Sequence, residues 1–547
     1  MKITNKIISL LLISLLITLS SCKKSTNTTN AIPKDTNFVM AFDTYSLIKK
    51  GKLNNIADFN FFNTIKKEVK NEDKKLAQFF DDVMENPAKT GFDFKKETFL
   101  YHINESKNEQ FMSVLFNLTS DSKFTSFIEE LIQKTGISKE IVKNNKYNYL
   151  ELKRDVGLGW KNNKAILLTA TNYKSRKHLE FEIETLLNQK AANSIKSNKE
   201  FNTFYNNKKD ISLWLSTNLF EKMYGFDQVA REMNMDLSNN YISSHLNFND
   251  DNIHLQTNFT PNKEFKAKLK ENKIFDNTFN TSLLKFLPKE QLGVTSFAVN
   301  TNGYYNYMKD QKTFDQIEKE IKKELDLDIK DIMNAFGGSV IYSFFDVRNQ
   351  MHTYKKYDYY SGEFKETEEE ALTPIMSLAF DVKDKKIIEK LFAKLKEDEG
   401  KHFTKNGDFY EFKFDDKFPA YFAYNDKTIL ITNDDNSIKS FAKGGLNGAN
   451  LSSSSLKSKI KSNHSFGYFK LNLEDYPIAL RNEINKTNGR MTGKPLSIWN
   501  DFAKEVEFNQ KKETSFDLTF KLKNDKNNSL YTILSTIDEN YKSMLGF

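Results

Sequence analysis

Seven histidines carry the imidazoles of the chain: His102, His178, His245, His254, His352, His402 and His464. No two stand at the HExxH or i, i+4 spacing that a helix needs to present two metal ligands on one face. His245 and His254 flank Asn249-Asp250-Asp251-Asn252, the residue types of a hairpin turn. Two rings and two carboxylates across a hairpin form a metal cluster if they share a sheet face, and exposed strand histidines if they do not. Serine chemistry has fragments only. Ser46-Leu47-Ile48-Lys49 spells S-x-x-K, and Lys89-Thr90-Gly91 and Lys134-Thr135-Gly136 spell K-T-G. Those are elements of penicillin-recognising enzymes, but no S-D-N follows. With 81 Lys and Arg in 547 residues such matches arise by chance. Gly337-Gly338-Ser339-Val340-Ile341 lacks the last glycine of a nucleophile elbow. Met491-Thr492-Gly493-Lys494-Pro495 has Pro where a phosphate loop needs Ser or Thr. Asp326, Asp328 and Asp331 lack the glycine and terminal Glu of a calcium loop. Carboxylate pairs for glycoside hydrolysis meet only in three dimensions. Trp160, Trp214 and Trp499 serve either to stack sugars or, more commonly, to fill cores. The residues therefore name no catalytic, cofactor-binding or metal-binding set.

One residue does carry a chemical reading. Cys22 is the only cysteine. Before it, Lys2 and Lys6 form a basic start, and Ile7 to Leu19 form an apolar run too short to span a bilayer. Leu19-Ser20-Ser21-Cys22 resembles the bacterial lipobox: an aliphatic residue, two small residues, then Cys. The resemblance implies cleavage before Cys22 and acylation of its sulfur and amine. Residues 1–21 are then a lipoprotein signal peptide and 22–31 a polar tether. Several acyl chains, at about 0.8 kcal/mol per buried CH₂, hold a protein firmly at a membrane surface. No acidic run follows Cys22, which favours an outer-membrane anchor facing the periplasm and leaves surface exposure open.

Composition narrows the rest. Hydrophobic residues make up 39% and aromatics 13%, with 47 Phe, so buried cores are expected and disorder is excluded. A single thiol excludes a disulfide scaffold. The basic residues are nearly all Lys interleaved with Asp and Glu, without the Arg forks of phosphate recognition, so nucleic acid is not an expected partner.

The elements that would position any site repeat along the chain. Ile32-Pro33-Lys34-Asp35 returns as Leu287-Pro288-Lys289-Glu290. Met112-Ser113-Val114-Leu115-Phe116-Asn117-Leu118 returns as Met376-Ser377-Leu378-Ala379-Phe380-Asp381-Val382, 264 residues on. Asn162 to Thr169 returns as Asn425 to Thr432, 263 residues on. Preserved order and near-constant offsets predict two homologous halves, 32–275 and 280–547. Each half carries an alternating strand and then a helix. The first helix places Phe124, Phe127, Ile128, Leu131 and Ile132 on one face with Asp121 as N-cap and Gly136 past its end. The second places Ile387, Ile388, Leu391, Phe392 and Leu395 likewise. Hairpins through Asn162-Asn163-Lys164 and Asn425-Asp426-Lys427 follow. Paired strands with occasional helices predict an α+β fold of antiparallel sheets covered by helices. The second half is longer by an insertion near 348–372 that holds Tyr354, Tyr357, Tyr359, Tyr360, Phe364 and an acidic run, Glu366 to Glu370. A surface hairpin there is a candidate interaction loop, since Tyr offers rigid area with a polar tip.

Cys22 with its tether, the 32–35 opening followed by Leu47-Ile48-Lys49-Lys50-Gly51, and Phe336-Gly337-Gly338-Ser339-Val340-Ile341 together resemble a bacterial lipoprotein family classed as domain of unknown function 4836. That resemblance implies location and architecture but no activity. The function expected is a lipid-anchored envelope module that binds or scaffolds, with an envelope protein or glycan as partner and no cofactor. The alternative is an envelope hydrolase on glycans or peptides using dispersed carboxylates.

Overall fold

The computed structural model describes residues 28–544, except 73, 107–108, 136–137, 145, 223–235, 276–277, 400–401, 415–417 and 488–492. The signal segment, Cys22, most of the tether and Gly136 lie outside the described residues. The chain forms two compact units. The first holds described residues up to 222, then 238–260 and the C-terminal segment from 524; the second holds 236–237 and 261–523.

Unit 1 is built on ten strands: β1 (Phe38–Phe42), β2 (Thr98–Ser106), β3 (Glu109–Asn117), β4 (Val142–Lys143), β5 (Asn148–Lys153), β6 (Val156–Lys161), β7 (Lys164–Ala170), β8 (Ile211–Ser216), β9 (Tyr241–Phe248) and β10 (Asn252–Thr260). They pair antiparallel in the order β4-β5-β6-β7-β3-β2-β1-β8-β9-β10. Unit 2 holds β11 (Gly293–Ala298), β12 (Phe336–Asp358), β13 (Glu363–Val382), β14 (Phe403–Asn406), β15 (Phe409–Phe414), β16 (Phe418–Tyr424), β17 (Thr428–Thr432), β18 (Ser465–Lys470), β19 (Ala503–Lys512) and β20 (Ser515–Leu522). Their antiparallel order is β14-β15-β16-β17-β13-β12-β11-β18-β19-β20, which is the unit 1 order with each index raised by ten. Helices pack on these sheets, and the fold is α+β.

Local sequence explains most elements. Asn162 and Asn163 take φ of 52° and 59°, the left-handed pair that a two-residue hairpin between β6 and β7 requires and that Asn tolerates. Asn425 instead closes its turn by accepting the Lys427 and Thr428 N–H groups, both at 2.9 Å. The helix Asp121–Thr135 buries Phe124, Phe127, Ile128 and Leu131. Its cap is Ser120, one residue earlier than the sequence suggests. The Ser120 Oγ accepts from Lys123 N at 3.3 Å, while the Asp121 carboxylate accepts from Asn163 N at 2.8 Å. In the helix Lys385–Glu399, Ile388 and Phe392 are buried but Leu395 is exposed, so the apolar stripe outruns the sheet edge it covers.

The helices that follow β10 and β20 are exchanged. The helix Lys263–Asn272 packs in unit 2 against the helix Thr301–Lys309. The helix Ser529–Met544 packs in unit 1 against Thr44–Lys50 and Asn60–Glu72. There the Asp538 carboxylate accepts the Asn60 and Phe61 N–H groups, both at 2.7 Å, and so caps a helix nearly 480 residues away. Lys52 lies 4.0 Å over the Tyr531 ring.

Candidate functional site

The β8–β9–β10 strands of unit 1 present a regular grid, because antiparallel partners share a face and alternate residues repeat it. One row is Trp214, Ser243 and Asn258, a second is Ser212, His245 and Gln256, and a third is Ser216, Tyr241 and Thr260. The helix Lys199–Asn206 lies beside this face. Asn198 starts it by accepting from Glu200 N and Phe201 N, and Phe201 and Phe204 are its buried face. Helix and grid together line an open cavity of about 550 Å³, within the range of small-ligand sites.

The strand side of the wall is aromatic and uncharged, and Glu200, Lys208 and Lys209 bring charge to the rest of the lining. Trp214 is 1% exposed, meets Phe201 edge-on at 5.6 Å and stacks on Tyr241 at 5.3 Å and 20°. Its Nε1 is buried with no hydrogen-bond partner. An orphaned buried donor costs about 1–3 kcal/mol, so the position asks for an acceptor. His245 is buried, stacks on Phe204 at 5.3 Å, and sits with Nδ1 3.1 Å from the Ser212 Oγ. Burial, and behind it the Lys209 charge, hold the ring below its ordinary pKa and favour the neutral form. The Ser212 oxygen already accepts from Lys209 N at 2.9 Å. Either the Ser212 hydroxyl or the ring Nδ1 can be the donor in the contact between them.

Unit 2 builds the matching position from different residues. Register places Tyr468 where unit 1 has Trp214, Glu507 for Ser243, Glu505 for Tyr241 and Lys521 for Thr260. The helix Leu456–Ser462 adds Lys459. These groups satisfy one another. Lys521 Nζ lies 2.7 Å from Glu505 and 3.0 Å from Glu507, Lys459 pairs with Glu507, and the Tyr468 hydroxyl donates to Glu505 at 3.2 Å. Burial raises the Glu507 carboxyl, but the hydrogen bonds from Lys459 and Lys521 outweigh it and hold it below its usual value. The remaining cavity is about 350 Å³.

Other sequence candidates resolve into structure. His245 and His254 do share a face, with partners Gln256 and Asn247, yet no group of three or more His, Cys, Asp or Glu among the described residues is placed to hold a metal. Ser46 of the S-x-x-K match donates to buried Asp210 at 2.5 Å, and Lys50, the residue after the motif, pairs with the same carboxylate at 2.6 Å. Thr90 of the first K-T-G is buried and donates to Pro87 O at 2.7 Å. Gly337 leaves room for the Asp381 carboxylate, which would stand 2.2 Å from an added Cβ, and Gly338 has φ +93°. The glycine pair thus shapes the start of β12. Trp160 donates to Thr125 Oγ1 at 2.9 Å inside the core.

The insertion continues β12 and β13 as a two-stranded ribbon. From Asp346↔Ile375 to Asp358↔Glu363 the strands pair with each other alone. At about 3.3 Å per residue the ribbon is about 40 Å long. Tyr359 and Tyr360 at its turn are 90% and 104% exposed, and Tyr357 touches both Tyr359 and Phe364 edge-on. Tyr354 lies on β12, opposite Thr367. Asp358 accepts from Tyr360 N and Ser361 N and pairs with Lys365, which fixes the turn. Among the described residues no helix is long and apolar enough to cross a membrane.

The grid could not be found from motifs, since its members come singly from three strands and one helix. The alternation of Tyr241, Ser243 and His245 is the one local signal. No curated protein and no solved structure matches the chain. A family model described as a domain of unknown function (number 4836) matches residues 28–530, and the chain belongs to that family.

Proposed function

We propose that the chain is a binding protein of the cell envelope, lipid-anchored through Cys22, with its ligand site on the β8–β10 face of unit 1. One observation carries this reading. The same position in two sheets of identical strand order carries the protein's own ion pairs around a smaller cavity of about 350 Å³ in unit 2, and uncharged strand side chains around a cavity of about 550 Å³ in unit 1. Equal order, with the repeated sequence segments, supports descent of the two halves from one duplicated ancestor. Hydrolysis is the weaker reading because Glu200 is the single carboxylate in the unit 1 lining, and glycoside cleavage uses two.

The test uses the full-length protein extracted from its own envelope in mild detergent. Native mass spectrometry is expected to show a small molecule bound to the wild type and absent from Ser243→Arg, which directs a long cation from β9 into the cavity. Equal ligand-free masses would overturn the site. In the same cells Cys22→Ala is expected to lose incorporation of labelled palmitate and to move to the soluble fraction. Retention on the membrane without acyl label would overturn the anchor.

The ribbon serves this reading as a contact arm for an envelope protein. Its exposed tyrosines offer the area, and Glu366, Glu368, Glu369 and Glu370 on one strand favour a basic partner surface. Gln350 and Ala371 face each other, so replacing 351–370 by Asn-Gly closes a shorter hairpin. That variant is expected to melt within about 2 °C of the wild type. A photocrosslinker at Tyr360 is expected to trap one discrete protein. A large drop in melting temperature would make the ribbon structural instead.

A further inference from the structure

We infer that the β8–β10 cavity of unit 1 takes a neutral saccharide, at one site per chain. The inference rests on the binding reading above and adds the ligand's chemistry. Sugar hydroxyls both donate and accept, and so do the side chains that rim the cavity: Thr203, Asn206, Ser243, Gln256, Asn258 and Thr260. Trp214 lines the cavity, and its indole Nε1, which can only donate, is buried without a hydrogen-bond partner. Tyr241 lines the cavity and is half-buried, with Trp214 stacked on its ring. Such a ring suits the apolar C–H face of a pyranose.

The charges argue for a neutral ligand. Glu200, Lys208 and Lys209 are the charged residues of the lining, and Lys208 is already paired with Glu97 at 3.2 Å. Among the described residues no arginine lines the cavity, and with it goes the bidentate fork that selects carboxylates and phosphates. The neutral form favoured for His245 adds no net charge to the lining. The single site is argued from unit 2, where Lys459, Glu505, Glu507 and Lys521 pair with one another across the matching position.

The experiment applies the full-length protein in detergent to a printed array of neutral and uronate-containing oligosaccharides. Calorimetric titration with the best neutral oligosaccharide follows. Binding of a neutral oligosaccharide at a 1:1 ratio is expected. Asn258→Ala and Gln256→Ala, at exposed or half-exposed positions where folding is not at stake, should each weaken it about tenfold. Trp214→Phe should weaken it comparably, and Lys459→Met in unit 2 should leave it unchanged. Binding of uronates alone, a 2:1 ratio, or an affinity indifferent to Asn258→Ala overturns the inference. If native mass spectrometry shows a bound molecule that is not a carbohydrate, the saccharide assignment fails while the binding site stands. If it shows none, the binding reading itself fails.

Discussion

Gly303→Ala is expected to destabilise the protein by about 3 kcal/mol, the upper range for forcing an atom into a packed interior. An alanine Cβ at this position would stand 2.0 Å from the Asn272 carbonyl oxygen and 3.1 Å from backbone carbons of Asn272 and Lys273. Those atoms are main chain at the end of the Lys263–Asn272 helix, so no side-chain rotation relieves the clash. Lys273 is already in the left-handed region, with φ of 50°, and Asn300 N donates to Ile274 O at 2.7 Å. The 263–272 helix must therefore separate from the 301–309 helix or drag its terminus with it. Urea unfolding of the full chain measures the loss as a lower midpoint at unchanged slope. An unaltered midpoint would mean that the two helices do not pack as described. Because this helix follows a strand of unit 1 and packs in unit 2, while Ser529–Met544 makes the reverse journey, damage at one helix contact is expected to lower the whole transition.

Asp210→Ala carries the other large effect, expected at about 3–5 kcal/mol. The Asp210 side chain is buried just before β8. One oxygen accepts the Ser46 hydroxyl at 2.5 Å, and the other takes Lys50 Nζ and Phe248 N, both at 2.6 Å. Three segments, the 44–50 helix, the start of β8 and the end of β9, thus meet at one carboxylate. Its removal leaves a three-quarters covered ammonium without its counter-charge, held only by the Asn247 Oδ1 at 3.1 Å, and a buried main-chain N–H without an acceptor. Asp210→Asn keeps an acceptor for one neutral donor and loses the charge, so its effect is expected to fall between wild type and Asp210→Ala. Chemical denaturation ranks the three proteins. An alanine variant as stable as wild type would show that this corner contributes nothing. Because β8 and β9 also form the floor of the candidate cavity, ligand titration of the Asn variant separates a shifted floor from a merely weaker fold.

Much of the architecture was legible in residue order. The Phe124 stripe and the Asn162-Asn163 turn report local patterns, which neighbouring residues impose on one another. The helix cap was misplaced by one residue because Ser120 and Asp121 are both competent caps, and the contact between Asp121 and Asn163 is decided 42 residues away. The Gly337-Gly338-Ser339 run looked like a fragment of a nucleophile turn. Its physical origin is the space needed by Asp381, a distant strand neighbour. Likewise Ser46 was legible as a hydroxyl near a lysine, but not as a donor to Asp210.

The candidate cavity was the least legible part. Trp214 reads as core, and it is buried, with its N–H left without a partner. Ser243, Gln256 and Asn258 are unremarkable polar strand residues until pairing sets them in rows. Order along the chain was enough to specify strands, hairpins and an α+β fold, since those arise from interactions a few residues apart. Which sheet face stays open, and which unit each terminal helix joins, are settled by contacts between residues hundreds of positions apart. No local pattern encodes such contacts, because their free energy exists only once the chain has closed on itself.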